Sequence, residues 1–125
     1  MELLLDTNVL IGLIENRLND AQRAALASPE IRLHTSVACL WEIAIKVRLG
    51  KLPLSVEVED LAELVQNLAL TLYRIDVPHV LARVWPELAT RDPFDRLLLA
   101  QCQVEGLKLV TLDRALGAHP LAFQW

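Results

Sequence analysis

The chain begins with a short apolar run that meets three polar residues and then resumes its apolar pattern. Residues 2–5 read Glu-Leu-Leu-Leu, Asp6-Thr7-Asn8 follows, and apolar positions continue from Val9. A run of this length beside turn-forming residues is typical of a buried strand, and the polar triplet is typical of a helix start. The stretch therefore predicts a strand that is followed directly by a helix, with Asp6 at the junction.

The same alternation of strand-like and helix-like segments continues to the end of the chain. Further strands are predicted over residues 31–34, 71–75 and 107–111, with a final edge strand over 120–125. Helices are predicted over residues 9–14, 21–27, 37–49, 55–68, 78–85 and 92–105, with a last helical turn from 112. Alternating strands and helices predict an α/β fold with a mainly parallel sheet of four or five strands between helix layers. Residues 1–125 are expected to form a single domain.

The predicted helix of residues 37–49 is apolar around most of its circumference. Only a narrow strip holding Cys39, Glu42 and Lys46 is left over, and this pattern predicts a helix that is buried on nearly every side. A buried Glu42 would require a partner for its charge. The alternative is a solvent-facing ion pair between Glu42 and Lys46, which lie one helical turn apart.

Four acidic residues stand where predicted strands end or predicted helices begin. Asp6 and Asp113 follow parallel strands, whose carboxyl ends share one edge of a sheet. Glu42 and Asp95 lie in the first turns of helices, within reach of that edge. Asp95 shares its helix face with apolar residues, an expensive position for a carboxylate without a partner. Each acid also has an alternative role as a helix cap or in an ion pair, and Asp92 is assigned only the cap.

Four carboxylates that meet at one edge repel one another unless a cation lies between them. Oxygen ligands without His or Cys suit Mg²⁺ or Mn²⁺ better than zinc. A divalent ion held by carboxylates polarises phosphates and lowers the pKa of a bound water. The acids therefore predict hydrolysis of phosphodiester bonds.

The net charge of −4 means that any nucleic acid must be attracted by a local basic cluster. Arg96 and Arg114 are the first candidates because each adjoins a proposed ligand in the sequence, and Lys46 is the third. The hydrophobic content of 54% is a hint that the chain forms a dimer. With few aromatic residues, base stacking is poorly supported as a means of recognition.

The cysteines and histidines bear on the cellular compartment and the type of site. Cys39 and Cys102 lie among apolar residues without CxxC spacing, as reduced thiols do in a cytoplasmic protein. The start of the chain does not resemble a signal peptide, and no uncharged stretch approaches a membrane-spanning length. The three histidines lack metal-ligand spacing and are expected at ordinary surface or edge positions.

Four segments, residues 4–8, 36–44, 91–101 and 109–114, resemble the PIN domain and, more closely, the VapC toxins of bacterial toxin–antitoxin pairs. The likeness runs in order over nearly the whole chain. It implies a PIN-like three-layer α/β/α sandwich and a metal-dependent endoribonuclease, usually a homodimer, that a VapB-like antitoxin inhibits. It also implies an acidic metal site and supporting polar groups, with Asp92 a less favoured substitute for the third acid. The implied acids are Asp6, Glu42, Asp95 and Asp113, and the supporting groups are Thr7, Asn8 and Thr111.

Two other functions fit parts of the pattern. An acid that follows a buried strand, as Asp6 does, also occurs in aspartyl-phosphate phosphotransfer proteins. One such family uses a second acid two residues later, and this chain has Asn8 there. The other alternative is a catalytically degenerate PIN-like module that dimerises and holds a partner helix, although the complete set of four acids argues against lost catalysis.

Overall fold

The architecture comes from a computed structural model, which describes residues 1–88 and 90–125. The strands are β1 (Glu2–Leu5), β2 (Arg32–Ser36), β3 (Thr71–Tyr73) and β4 (Lys108–Val110). The helices are α1 (Thr7–Ile14), α2 (Asp20–Leu26), α3 (Val37–Arg48), α4 (Leu61–Asn67), α5 (Val77–Leu81), α6 (Pro93–Glu105) and α7 (Arg114–Gly117). A short 3-10 helix, Val58–Asp60, leads into α4.

The sheet confirms the predicted α/β architecture. Its four strands lie in the order β3-β2-β1-β4, all neighbours are parallel, and helices flank the sheet as in an α/β/α sandwich. The edge strand predicted over residues 120–125 is reduced to one parallel bridge between Leu109 and Ala122. Strand β1 is central, and its Leu3, Leu4 and Leu5 are fully buried, as a strand covered on both faces requires.

The register of the sheet determines which residues at the ends of the strands meet at its carboxyl edge. Leu5 of β1 pairs with Val110 of β4, and the Asp6 amide donates to the Val110 carbonyl oxygen at 2.9 Å. On the other side of β1, Leu4 pairs with His34 of β2. Continuing that register by two residues brings Ser36, which N-caps α3, alongside Asp6. The starts of α1 and α3 and the segment after β4 therefore share one corner of the molecule.

The bounds of two predicted helices were wrong. The helix predicted from Ser55 begins later, because a 3-10 helix over Val58–Asp60 precedes α4, which starts at Leu61. The Ser55 amide instead donates to the Glu15 carboxylate at 2.8 Å, which ties this loop to the end of α1. The helix predicted over residues 78–85 ends at Leu81. Just beyond it, the Gln103 side chain on α6 accepts from the Trp85 amide and donates to the Arg83 carbonyl, at 2.9 Å in each case. These bonds satisfy backbone groups that a longer helix would have used.

Helix α3 is not buried on every side, as its apolar sequence predicted. Its buried residues are Ala38, Cys39, Glu42 and Ile43, whereas the Trp41 side chain is 58% exposed. Two of the three residues in the narrow polar strip, Cys39 and Glu42, thus face the interior. Helix α3 packs against α1 and α6, and this packing selects the inward face.

The histidines are also placed differently from the prediction, because all three are buried. The Nε2 atom of His34 lies 2.7 Å from Glu2, that of His79 lies 3.0 Å from Glu105, and that of His119 donates to the Pro86 carbonyl at 2.8 Å. Each partner is 26 to 33 residues away in the sequence. These side chains therefore tie distant segments together.

The two cysteines are free and buried, as expected. In the part of the chain that the structure describes, no helix has both the length and the apolar character needed to cross a bilayer.

Candidate active site

Asp6 lies at the junction between β1 and α1, where the sequence places it. Its Oδ1 atom accepts the Val9 amide at 2.9 Å, so the carboxylate caps the helix that it precedes. The side chain is nearly fully buried, and this burial raises the pKa of Asp6. The charge of Glu42 also raises it, whereas hydrogen bonds from Thr111 and the Val9 amide oppose the shift. Burial is the larger effect, so Asp6 ionises less readily than a free aspartate.

Asp113 repeats this arrangement one strand away. Its Oδ1 atom accepts the Leu116 amide at 2.9 Å and caps α7, and its own amide donates to the Thr111 hydroxyl at 3.0 Å. Unlike Asp6, Asp113 is exposed. The sequence prediction that both acids mark a strand-to-helix junction is confirmed.

Glu42 reaches the same corner from the second turn of α3. Its Oε1 atom accepts a hydrogen bond from the Thr7 hydroxyl at 2.5 Å, and its Oε2 atom lies 2.6 Å from Lys46 Nζ. The Glu42 side chain is only 10% exposed, so its ion pair with Lys46 is not the solvent-facing pair of the alternative interpretation. Both carboxylate oxygens of Glu42 are therefore engaged by this chain's own donors.

Helix α6 contributes two acids with different surroundings. Asp92 caps the helix, and its Oδ1 atom accepts the amides of Phe94 at 2.8 Å and of Asp95 at 3.2 Å. A capping box would require the Asp95 carboxylate to accept the Asp92 amide, but that amide donates to the Thr90 hydroxyl at 3.1 Å. The Asp95 carboxylate is therefore left without this structural role.

These side chains meet in one open cleft of about 120 Å³ at the carboxyl edge of the sheet. All four acids predicted from the sequence line it, together with Thr7, Asn8 and Lys46. The remaining lining residues are Asp92 and Leu116. The cleft therefore contains five carboxylates and one amine, with no thiol or imidazole.

Partial burial and the neighbouring carboxylates both perturb Asp95. Its pKa is raised from 3.8 to about 6, first by partial burial and then by the charges of Asp92, Glu42, Asp113 and Asp6. A carboxylate perturbed by several others in a cleft is typical of a site that binds a cation or handles protons.

The donor set fits a hard divalent cation, because it offers oxygen ligands and excess negative charge. The spacing is wider than a coordination sphere, since among residues 1–88 and 90–125 no group of three or more His, Cys, Asp or Glu side chains lies close enough to hold a metal ion. The chemistry of the residues thus suits Mg²⁺ or Mn²⁺. In this structure the carboxylates of Asp6, Glu42 and Asp113 accept hydrogen bonds from protein donors instead.

Of the three basic residues proposed to bind RNA, one lines the cleft and two lie outside its lining. Lys46 lines the cleft, whereas Arg96 and Arg114 are exposed and are not part of its lining. One Arg96 nitrogen lies 3.7 Å from a Glu87 carboxylate oxygen, so part of its charge is already balanced. Thr111 also lies outside the lining; its hydroxyl accepts the Asp113 amide, and its proximity acts to lower the pKa of Asp6.

Sequence reasoning missed three features of this cleft. It gave Asp92 only a cap, but the residue both caps α6 and lines the cleft. It did not anticipate Leu116, an apolar residue one turn beyond Asp113, or the hydrogen bond from Thr7 to Glu42. The helix start at Pro93 was a usable signal for Asp92. No local sequence pattern predicts the contact between Thr7 and Glu42, which are 35 positions apart.

Comparison with known proteins identifies the family of the chain. The family model of the PIN domain matches residues 3–120, which is nearly the whole chain, and no curated protein matches it. PIN domains are generally nucleases, and they generally use divalent metal ions. All four acids singled out in the sequence lie within the matched range. With this extent of match, and with a parallel α/β/α sandwich that carries an acidic cleft at its carboxyl edge, the chain belongs to the PIN domain family.

Proposed function

We propose that this chain is a metal-dependent endoribonuclease of the VapC type, the toxin of a toxin–antitoxin pair. The observation that carries the proposal is the convergence of Asp6, Glu42, Asp95 and Asp113 on one cleft of a PIN domain. Residues 1–125 act as one domain in this proposal. Two free, buried cysteines are in keeping with a cytoplasmic setting.

The four acids would hold Mg²⁺ or Mn²⁺, which, when bound, polarises the RNA phosphodiester and lowers the pKa of a bound water. Thr7 fixes the Glu42 carboxylate through its hydroxyl, and the Thr111 hydroxyl accepts the Asp113 amide and supports the segment that carries Asp113. Asn8 presents a neutral amide to the cleft, suited to hydrogen bonding with a phosphate oxygen. Hydrolysis passes the phosphoryl group of the RNA to water, so no covalent bond to the protein is formed.

RNA must approach a cleft that is itself negatively charged, and the surrounding cations serve that purpose. Lys46 lies in the cleft, and Arg96 and Arg114 follow two of the acids directly in sequence. Contacts between such cations and phosphates supply affinity without reading the base sequence.

Partner proteins are part of this proposal, because the surface retains large apolar side chains. Val77, Val80, Leu81 and Trp85 are each more than half exposed, and Trp41 is exposed on α3. Exposed apolar surface of this kind supports a homodimer and the binding of a VapB-like antitoxin. Measuring the mass of the chain by light scattering, alone and with the product of a neighbouring small gene, tests both partners.

A catalytically degenerate PIN module is the competing function. The observation that favours it is the absence, among the described residues, of three acidic or histidine side chains at metal-holding distance. Calorimetric titration with Mn²⁺ separates the two, since a degenerate module releases no metal-dependent heat.

The test of the proposed function is cleavage of total bacterial RNA, with Mg²⁺ and with EDTA, by the wild type and Asp6→Asn. We expect cleavage that requires the metal and is lost in the variant, because Asn keeps the helix cap but removes the charge. Asp20→Asn is the matched control, since Asp20 is exposed at the start of α2, pairs with Arg23 and is not part of the cleft lining. Equal cleavage by Asp6→Asn and wild type would overturn the site.

A further inference from the structure

The only lysine that lines the cleft, within the residues that the structure describes, is held by one of the acids. Lys46 Nζ lies 2.6 Å from Glu42 Oε2 and balances the charge of a carboxylate that is 10% exposed. The lysine side chain itself is 45% exposed. One partner of the ion pair is thus fixed in the protein, and the other can withdraw into solvent on a flexible four-carbon chain.

The hydrogen bonds around Glu42 complete this picture. Thr7 donates to Oε1 while Lys46 occupies Oε2, so both oxygens are taken without any ion from solution. The other acids of the cleft repel one another, and this repulsion adds to partial burial in raising the pKa of Asp95. The ammonium group therefore neutralises part of a charge cluster that would otherwise be unbalanced.

We propose that Lys46 is a tethered counter-cation that occupies the acidic cleft until a divalent ion displaces it. This inference rests on the proposed function, because it concerns how the same site is loaded with metal. Binding of Mn²⁺ or Mg²⁺ exchanges the ammonium group for the ion at Glu42. The released ammonium then lies at the rim of the cleft, where it can contact an RNA phosphate.

The exchange predicts how removal of Lys46 changes the affinity of the site for the metal. A positive charge beside the site opposes a second positive charge, so removing Lys46 should tighten binding of the metal. At several ångströms through water, this repulsion corresponds to roughly a three- to tenfold change in affinity.

The experiment is calorimetric titration of the metal-free protein with Mn²⁺, comparing wild type with Lys46→Met. We expect the dissociation constant for Mn²⁺ to fall roughly three- to tenfold in the variant. Lys51→Met is the matched control, because it removes the same charge from an exposed residue outside the cleft lining and should leave the affinity within about twofold. Lys46→Gln replaces Lys46→Met if the methionine variant does not fold.

A second readout is thermal stability. Metal-free Lys46→Met should melt below the wild type, since Glu42 loses its partner, and saturating Mn²⁺ should raise its Tm by more than it raises that of the wild type. Equal or weaker Mn²⁺ binding by Lys46→Met, with normal wild-type binding, would overturn the tethered counter-cation alone. A wild type that releases no heat with Mn²⁺ would overturn the proposed metal-dependent function, and the inference with it.

Discussion

The carboxylates of Asp6 and Asp113 each accept the amide three residues ahead, at 2.9 Å in both cases. They do so at the carboxyl ends of β1 and β4, which are paired neighbours in the sheet. The same strand-to-helix junction, with an aspartate as the helix cap, therefore occurs twice on neighbouring strands. It places two acids in one cleft. The cap engages the Oδ1 atom of each residue, so capping and a role in the cleft are compatible.

Replacing Asp113 in two ways separates these roles. Asp113→Asn keeps an oxygen that can cap α7, so we expect little change in Tm but a loss of metal-dependent RNA cleavage of about 100-fold or more. Asp113→Ala should lose the cleavage and also about 1 kcal/mol of stability. Thermal melting and a cleavage assay measure both effects. An active Asp113→Asn would show that the carboxylate serves only the cap.

Asp92 and Asp95 should behave in opposite ways. Asp92→Asn is expected to cleave RNA within a few-fold of wild type, and Asp92→Ala to lose about 1 kcal/mol of stability with its cap. Asp95→Asn should remain folded, because its carboxylate does not cap α6, and should lose cleavage, because Asp95 is the third acid of the proposed site. Rates and Tm values for the three variants check this. A greater loss of cleavage in Asp92→Asn than in Asp95→Asn would reverse the assignment.

The pKa of Asp95 predicts how metal-free stability depends on pH. Because this pKa is raised from 3.8 to about 6, the folded chain binds the proton more tightly than the unfolded chain. The contribution of Asp95 to stability is therefore present at about pH 4 and is lost as the pH rises through about 6. We expect Asp95→Asn in EDTA to melt roughly 2–5 °C above wild type near pH 7, a modest gain because the group is only partly buried.

Melting curves between about pH 4 and pH 8 measure this difference, and the gain should vanish near pH 4. Saturating Mn²⁺ provides the control, since a divalent ion removes the repulsion and should stabilise wild type more than the variant. A gain in Tm that is the same at every pH would mean that packing, and not charge, causes it.

Arg114 and Arg96 differ in how much of their charge is available to RNA. Arg96 lies 3.7 Å from Glu87, whereas no ion pair involving Arg114 is found among the described residues. Arg114→Gln should therefore weaken RNA binding by roughly three- to tenfold and lower the salt slope by about one. Arg96→Gln should have the smaller effect. Fluorescence anisotropy over a range of salt concentrations measures both, and identical salt slopes in wild type and Arg114→Gln would exclude a phosphate contact.

Much of the site was predictable because its signals are local. Asp6, Asp92 and Asp113 stand next to apolar runs or proline, and capping needs only a few consecutive residues. The parallel sheet followed from the alternation of strands and helices, and a parallel sheet puts the ends of its strands at one edge. Glu42 and Asp95 joined the same set because each lies in the first turns of a helix near that edge, and the PIN resemblance implied the same four acids. Their order along the chain was thus enough to predict one acidic cluster.

The sequence by itself determined the four strands of the sheet, most of the helix starts and the acids that belong together, because periodicity and capping act over one or two turns. Only the tertiary structure decided which face of α3 points inward, because a helix that is apolar on nearly all sides has no single face that the sequence predicts to be buried. Packing against α1 and α6 turned Glu42 toward Thr7 and left Trp41 in solvent. It also buried His34, His79 and His119, whose hydrogen-bonding partners lie about 30 residues away and exist only once the chain is folded.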